Sequence, residues 1–135
     1  MGYEHIPHPN DWTRGPMGNC FHMSLSGWAL LRDAGETGWK VALGVVCPKL
    51  NGDRHIHAWL QHGERVRFAT DGMECDRAQY YEWMGVERAS VRLVNPRRLL
   101  RNLRGSIDRE VINQLLNLSG LRWTVTEHGG IVPRD

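Results

Sequence analysis

The spacing of apolar residues predicts a helix near the start of the chain. Residues 1–19 are rich in Pro, Gly, His and Asn, which predicts an irregular arm. Over residues 20–34, apolar side chains recur every three or four positions, as they do on one face of a helix. The residues that form this face are Phe21, Leu25, Trp28 and Ala29. Gly35 follows them and predicts the C-terminal cap.

The next apolar stretches predict strands. Residues 39–47 are apolar and rich in β-branched side chains, and they stop at Pro48, which is typical of a strand. Residues 54–61 and 65–70 alternate in character on either side of residues 62–64. This alternation around a glycine-containing loop predicts a β-hairpin.

The length of that loop decides which side chains of the hairpin share a face. A three-residue loop places Leu60 opposite Val66 and Ala58 opposite Phe68, so the bulky aliphatic side chains fall on one face. A two-residue turn shifts the pairing by one residue and sets apolar against charged side chains. Burial therefore favours the three-residue loop. The other face then carries His55, His57, Trp59, Arg67, Ala69 and Asp71.

The sequence pattern of the second half of the chain predicts shorter helices and strands. We expect helices at residues 76–84, 96–103 and 106–118, and strands at residues 89–94 and 121–127. The sum is one α+β domain over residues 1–135, with a small, mostly antiparallel sheet. The cysteine-bearing helix near the N-terminus is expected to pack on that sheet.

Composition narrows the classes of partner. The chain has 135 residues, of which 41% are hydrophobic and 24% charged, with a formal net charge of +2. A charge of +2 does not by itself make a phosphate-binding surface, so nucleic acid is not the expected partner. No apolar run approaches the ~20 residues of a membrane span, and the N-terminus lacks the apolar region of a signal peptide. We therefore expect no membrane partner and a cytoplasmic location.

Cysteine usage points to thiol chemistry at one position. Three cysteines without a CxxC pair do not predict a disulfide framework. Cys47 lies in an apolar strand and is expected in the core, and Cys75 precedes a helix. Cys20 opens the first helix, where the helix dipole favours a thiolate and backbone N–H groups can bind an oxyanion.

The predicted hairpin supplies the groups that such a thiol needs. In the three-residue-loop register, Asp71 lies opposite His55 and diagonally next to His57. A carboxylate there can take the proton on one imidazole nitrogen and leave the other nitrogen as a base. Cys20, His57 and Asp71 are therefore the candidate catalytic residues.

Three segments resemble transglutaminase-like cysteine enzymes, which include the small bacterial peptidases that mature lasso peptides. The segments are GNCFHMSLSGWALLRDAG, GWKVALGVV and HIHAWLQHGERVRFATDG, which together span residues 20–72 and a few residues before them. The run H-A-W-L-Q from His57 to Gln61 is the most specific part. Many family members have Trp where this chain has Phe21, and Pro where it has Gly72.

The resemblance implies a papain-like core and a thiol-dependent acyl transfer on a peptide or protein substrate. It implies Cys20 as nucleophile, His57 as general base and acid, and Asp71 as the group that orients the imidazole. The reaction would be peptide hydrolysis, deamidation or amide cross-linking, and it requires no cofactor and no metal. Residues 73–135 match no part of the family pattern and are expected to complete the domain.

Three alternatives stay open. The same fold is also used by non-catalytic modules that hold a peptide or protein in the cleft. The phrase Gly-Asn-Cys before a helix is similar to ovarian-tumour-type cysteine peptidases, which would use His128 instead. A zinc site would need His55 and His57 with Asp71 or Cys20 as further ligands.

A group of arginines lies along the two late helices. We expect a solvated face there, and the alternative is a docking face for an acidic partner or nucleic acid. The group comprises Arg97, Arg98, Arg101, Arg104 and Arg109.

Overall fold

The structure combines helices and strands, with one helix before a run of four strands. A computed structural model of the chain describes residues 19–49, 52–68, 72–101, 109–125 and 131–134. Its helices are α1 (Asn19–Asp33), α2 (Arg77–Met84), α3 (Arg97–Arg101) and α4 (Arg109–Ser119), with a 3-10 turn at Arg88–Ser90. Its strands are β1 (Lys40–Val46), β2 (His55–His62), β3 (Arg65–Arg67), β4 (Glu74–Asp76), β5 (Arg92–Val94), β6 (Trp123–Val125) and β7 (Ile131–Pro133).

Five of these strands form one antiparallel sheet. Their order is β4-β3-β2-β1-β5, and β6 pairs separately with β7. The helix α1 packs against this sheet, which confirms the α+β prediction and the position of the cysteine-bearing helix. Strand β4 and strand β7 were missed by the sequence analysis because three residues are too few to show an alternating pattern.

The sheet is covered on both faces. On the α1 side, the buried core combines side chains of α1, the sheet and α4, among them Leu25, Trp28, Val41, Leu43, Ile56, Ala58, Leu60, Leu115 and Leu116. On the α2 side, the buried core is richer in aromatic rings and consists of Ala42, Val46, Trp59, Val66, Phe68, Cys75, Tyr80, Tyr81 and Met84. Successive residues of β1 and β2 therefore enter different cores, as the two-residue period of a strand requires.

The predicted register of the hairpin is wrong. Strand β2 pairs with β3 as Leu60 with Arg67, Gln61 with Val66 and His62 with Arg65, so a two-residue turn replaces the expected three-residue loop. The prediction assumed that one face of the hairpin is buried and the other is open. Because both faces are covered, Val66 is buried on the α2 side.

A close approach holds the end of α2 against the end of β1. The backbone N–H of Cys47 donates to the carbonyl oxygen of Met84 at 2.9 Å. Gly85 caps α2 with a left-handed φ of +57°, and a Cβ at this position would lie 2.2 Å from the carbonyl oxygen of Cys47. Only a residue without a side chain fits both the dihedral angle and the space.

Candidate functional site

Cys20 lies in the first turn of a helix, as the sequence predicts. It is the second residue of α1. Its residue surface is only 3% exposed, and it belongs to the α1-side core. A nucleophilic thiol must be accessible, whereas Cys20 is enclosed in a core of aliphatic and aromatic side chains.

His57 lies in the middle of β2 and enters the other core. It pairs with Gly44 of β1, and a Cβ on Gly44 would meet the Trp59 ring at 3.0 Å, which places this pair on the α2 side. The His57 ring stacks against Trp59 with centroids 6.3 Å apart, and it meets His55 edge-on at 5.8 Å. The residue is 2% exposed.

Two of the three predicted catalytic residues, Cys20 and His57, therefore lie in different cores of the described structure. Cys20 belongs to the same core cluster as Ala58, whereas His57 stacks on Trp59, which belongs to the other cluster. Asp71 lies outside the described residues, and its pairing with an imidazole stays a prediction. Residue His128 of the alternative peptidase also lies outside them.

Burial keeps both strand histidines neutral. Desolvation lowers the pKa of His57 well below its ordinary value of 6.5, and repulsion from His55, whenever that ring is protonated, lowers it further. Desolvation also lowers the pKa of His55, although the carbonyl and the carboxylate of Asp53 act in the opposite direction. A neutral imidazole retains a lone pair that accepts a proton or a hydrogen bond.

Each of the two rings has one nitrogen that lacks a partner among the described residues. His55 donates from Nδ1 to the carbonyl oxygen of Asp53 at 2.8 Å, because a carbonyl oxygen only accepts. That leaves Nε2 of His55 buried without a described partner, and Nδ1 of His57 is in the same situation. Such groups are rare in native structures and cost about 1–3 kcal/mol each when nothing satisfies them.

A buried glutamine next to these rings was missed by the sequence analysis. Gln61 is buried, and its Oε1 accepts hydrogen bonds from Trp59 Nε1 at 3.0 Å and from the Tyr81 hydroxyl at 2.9 Å. The network fixes the indole that stacks on His57. A glutamine two residues after a tryptophan in an apolar strand was the available signal, but it was interpreted only as the last residue of the predicted strand and of the H-A-W-L-Q run.

An open groove lies on the α1 side of the sheet. We call it the α1 groove, a cavity of about 280 Å³ lined mainly by apolar atoms. Its lining comes from α1, β2, β3 and the residues that follow β3: Met23, Ser26, Gly27, Leu30, Leu31, Leu60, Arg67, Phe68 and Gly72. Leu30 is 71% exposed and Met23 is 37% exposed, so two large apolar side chains face solvent at this groove.

Arg67, which lines the α1 groove, shares the carboxylate of Glu74 with a second arginine, Arg65. The carboxylate of Glu74 binds Arg65 through one oxygen and Arg67 through the other, the second contact being 2.6 Å long. Both guanidinium groups lie over the Trp39 ring, 5.0 and 5.3 Å from its centroid. Among the described residues, one carboxylate is therefore shared by two guanidinium groups and neutralises them only in part.

Among the described residues, neither the other two cysteines nor a group of metal ligands forms a further candidate site. Burial raises the pKa of Cys75 to about 12, so its thiol stays protonated. Cys47 is only partly buried, and its thiol donates to the carbonyl oxygen of Gly52 at 3.1 Å. Within the described ranges, no three His, Cys, Asp or Glu side chains are grouped to hold a metal ion.

Comparison with known proteins leaves the resemblance to rest on its motifs alone. No protein-family model matches the chain, and neither a curated protein nor a solved structure is significantly similar to it. In the described part of the chain, no helix combines the length and the apolar character that crossing a bilayer requires.

Proposed function

We propose that this chain is a non-catalytic peptide-binding module on a transglutaminase-like, papain-like core. Its ligand is a segment of peptide or protein that presents an apolar side chain beside a carboxylate. The observation that carries this proposal is the α1 groove, in which Leu30 and Met23 are exposed next to the guanidinium group of Arg67.

The groove matches such a ligand in both apolar surface and charge. A ligand that completely encloses an exposed leucine or methionine side chain gains about 1.5–3 kcal/mol of hydrophobic free energy from each side chain. A carboxylate completes the charge balance of Arg65 and Arg67, which share the single carboxylate of Glu74. Apolar anchoring supplies affinity, and the guanidinium group selects acidic neighbours in the ligand.

The placement of the thiol and the imidazole supports binding over catalysis. A nucleophile and its base must come within hydrogen-bond distance, about 2.6–3.2 Å for most pairs and often longer in an empty site. Cys20 belongs to the α1-side core and His57 stacks on Trp59 of the α2-side core, so the sheet lies between them.

Selection from a phage-displayed library of random dodecapeptides tests this proposal. We expect enrichment of sequences that combine Leu, Phe or Met with Asp or Glu, and loss of their binding in Leu30→Asp. The matched control is Leu118→Asp on α4, since Leu118 is 58% exposed and does not line the groove. Failure to enrich any sequence, or equal loss of binding in both variants, would contradict the proposal.

A thiol-dependent acyl transfer is the second candidate. The position of Cys20 in the first turn of α1 favours it, as does the neutral His57 whose Nδ1 has no described partner. In this reaction the Cys20 sulfur attacks a carbonyl carbon while His57 takes the thiol proton. His57 then returns the proton to the departing amine, and Asp71 orients the ring. Water or an amine finally cleaves the thioester.

The rate of alkylation by iodoacetamide separates the two candidates. A catalytic Cys20 reacts quickly near neutral pH and about a hundredfold more slowly in His57→Ala. His22→Ala serves as the control because His22 is exposed on the same helix as the cysteine. Slow labelling of all three thiols, unchanged in His57→Ala, supports the binding module and excludes the enzyme.

A further inference from the structure

A second cleft lies at the opposite end of β1 from the strand's contact with α2. It has a volume of about 240 Å³ and runs between the end of α1, the start of β1 and the connection from β5 to α3. Its lining is Trp28, Arg32, Glu36, Thr37, Gly38, Trp39, Lys40, Asn95 and Arg97. We call it the basic cleft, because three of its four charged side chains are cationic.

Two of the cations carry charge that nothing in the described structure neutralises. Arg32 binds the carboxylate of Asp33 at 3.1 Å and lies over the Trp28 ring. Within the described residues, neither Lys40 nor Arg97 has an ion-pair partner.

The fourth charged side chain of the basic cleft is Glu36, which already accepts a hydrogen bond. Glu36 accepts a hydrogen bond from the Trp39 indole at 3.4 Å, and no cation of the cleft binds it directly. The Trp28 indole donates to the backbone oxygen of Trp39 at 2.9 Å and so joins α1 to the start of β1. The Asn95 side chain accepts from the backbone N–H of Arg97 at 3.1 Å and fixes the start of α3.

This distribution of charge matches a dianion better than a single carboxylate. A phosphate monoester carries about −1.5 to −2 charge at neutral pH and presents three acceptor oxygens. One guanidinium group can donate two parallel hydrogen bonds to phosphate oxygens, and a lysine adds a compact positive charge. The volume of the cleft leaves room for the phosphoryl group and a small substituent.

We propose that the basic cleft binds the phosphoryl group of a small phosphate monoester through Lys40, Arg97 and Arg32. This site is separate from the α1 groove, with which it shares no lining residue. It does not depend on whether the groove holds a peptide, so either proposal can fail alone.

Titration with phenyl phosphate, followed by heteronuclear NMR of the complete chain, tests this site. We expect saturable shifts of the amides of Thr37, Gly38 and Lys40, and no comparable shifts from phenylacetate at matched ionic strength. Lys40→Gln and Arg97→Gln should each weaken the affinity about tenfold. Glu36→Gln keeps an acceptor for the Trp39 indole but removes the negative charge, and it should strengthen the affinity a few-fold.

Arg98→Gln is the matched control, because Arg98 is an exposed neighbour of Arg97 that does not line the cleft. It should leave the affinity for phenyl phosphate unchanged, and thermal unfolding should show that every variant folds. Absence of saturable shifts would overturn the proposal. Equal binding of phenylacetate, or an Arg98→Gln effect as large as that of Arg97→Gln, would overturn it as well.

Discussion

The two faces of the central sheet differ in chemistry and in closure. The α2 face is built from aromatic rings and buried polar groups, and its hydrogen bonds and ring contacts join Trp59, Gln61 and Tyr81. The α1 face is mainly aliphatic and opens at one edge into the α1 groove, where Leu30 is exposed. We infer that the closed face stabilises the domain and that the open face is the one available to a ligand.

The largest effect is expected at the centre of the closed face. Trp59 is completely buried and contacts the rings of His57, Tyr80 and Tyr81. Replacement by alanine leaves a cavity and removes the donor to Gln61, so Trp59→Ala should lower the free energy of unfolding by about 3–5 kcal/mol. Urea unfolding measures this change, and a loss below about 1 kcal/mol would show that the α2 face does not carry the stability.

A smaller loss is expected where α2 is anchored to β1. In Gly85→Ala, a left-handed φ and a clash with the Cys47 carbonyl oxygen act together, which predicts a loss of about 2–3 kcal/mol. Gly35→Ala is the control, because Gly35 has a φ of +83° but open space around its Cβ position. It should cost about 1 kcal/mol when both variants are compared with the parent chain by thermal unfolding. Equal losses would mean that the close approach to Cys47 contributes nothing.

The buried imidazole of His57 makes the stability of the closed face depend on pH. Its pKa in the folded state lies well below 6.5, so the unfolded state takes up a proton first as the pH falls. The free energy of unfolding should therefore decrease as the pH drops below about 6.5, and be independent of this group above that value. Urea unfolding between about pH 7.5 and 5 measures the slope.

A variant comparison assigns that slope to the buried ring. His57→Gln removes one titrating group and should reduce the slope to the part that His55 contributes, whereas His22→Gln on the exposed side of α1 should leave the slope as in the parent chain. If His57→Gln keeps the full slope, another group is responsible.

The smallest effect on stability is expected at the open face. Leu30 is 71% exposed, so Leu30→Asp should change the free energy of unfolding by less than about 0.5 kcal/mol. Thermal unfolding checks this value beside the peptide-binding assay. A large destabilisation would show that Leu30 belongs to the core rather than to a binding surface.

Local patterns were sufficient for the long elements. The three- and four-residue spacing of apolar side chains predicted α1 to within a residue at each end, because one helix face is buried on the sheet. The continuous apolar run of β1 predicted a strand that is covered on both faces. Cys20 was placed correctly in the first turn of α1, since helix starts depend on nearby residues.

The register of the hairpin and the assembly of the candidate site required the tertiary structure. Alternation tells which side chains of a strand share a face, but not which core that face enters. Gln61 and Val66 pair on the α2 side of the sheet because α2 covers that side. The sequence of β2 does not reveal this cover, since α2 is distant from β2 in the chain. Cys20 and His57 were assigned to one site from the helix-start position of the cysteine, the predicted hairpin face and the resemblance to transglutaminase-like enzymes. Their separation by the sheet follows from the side on which α1 packs, and no local pattern of apolar residues contains that information.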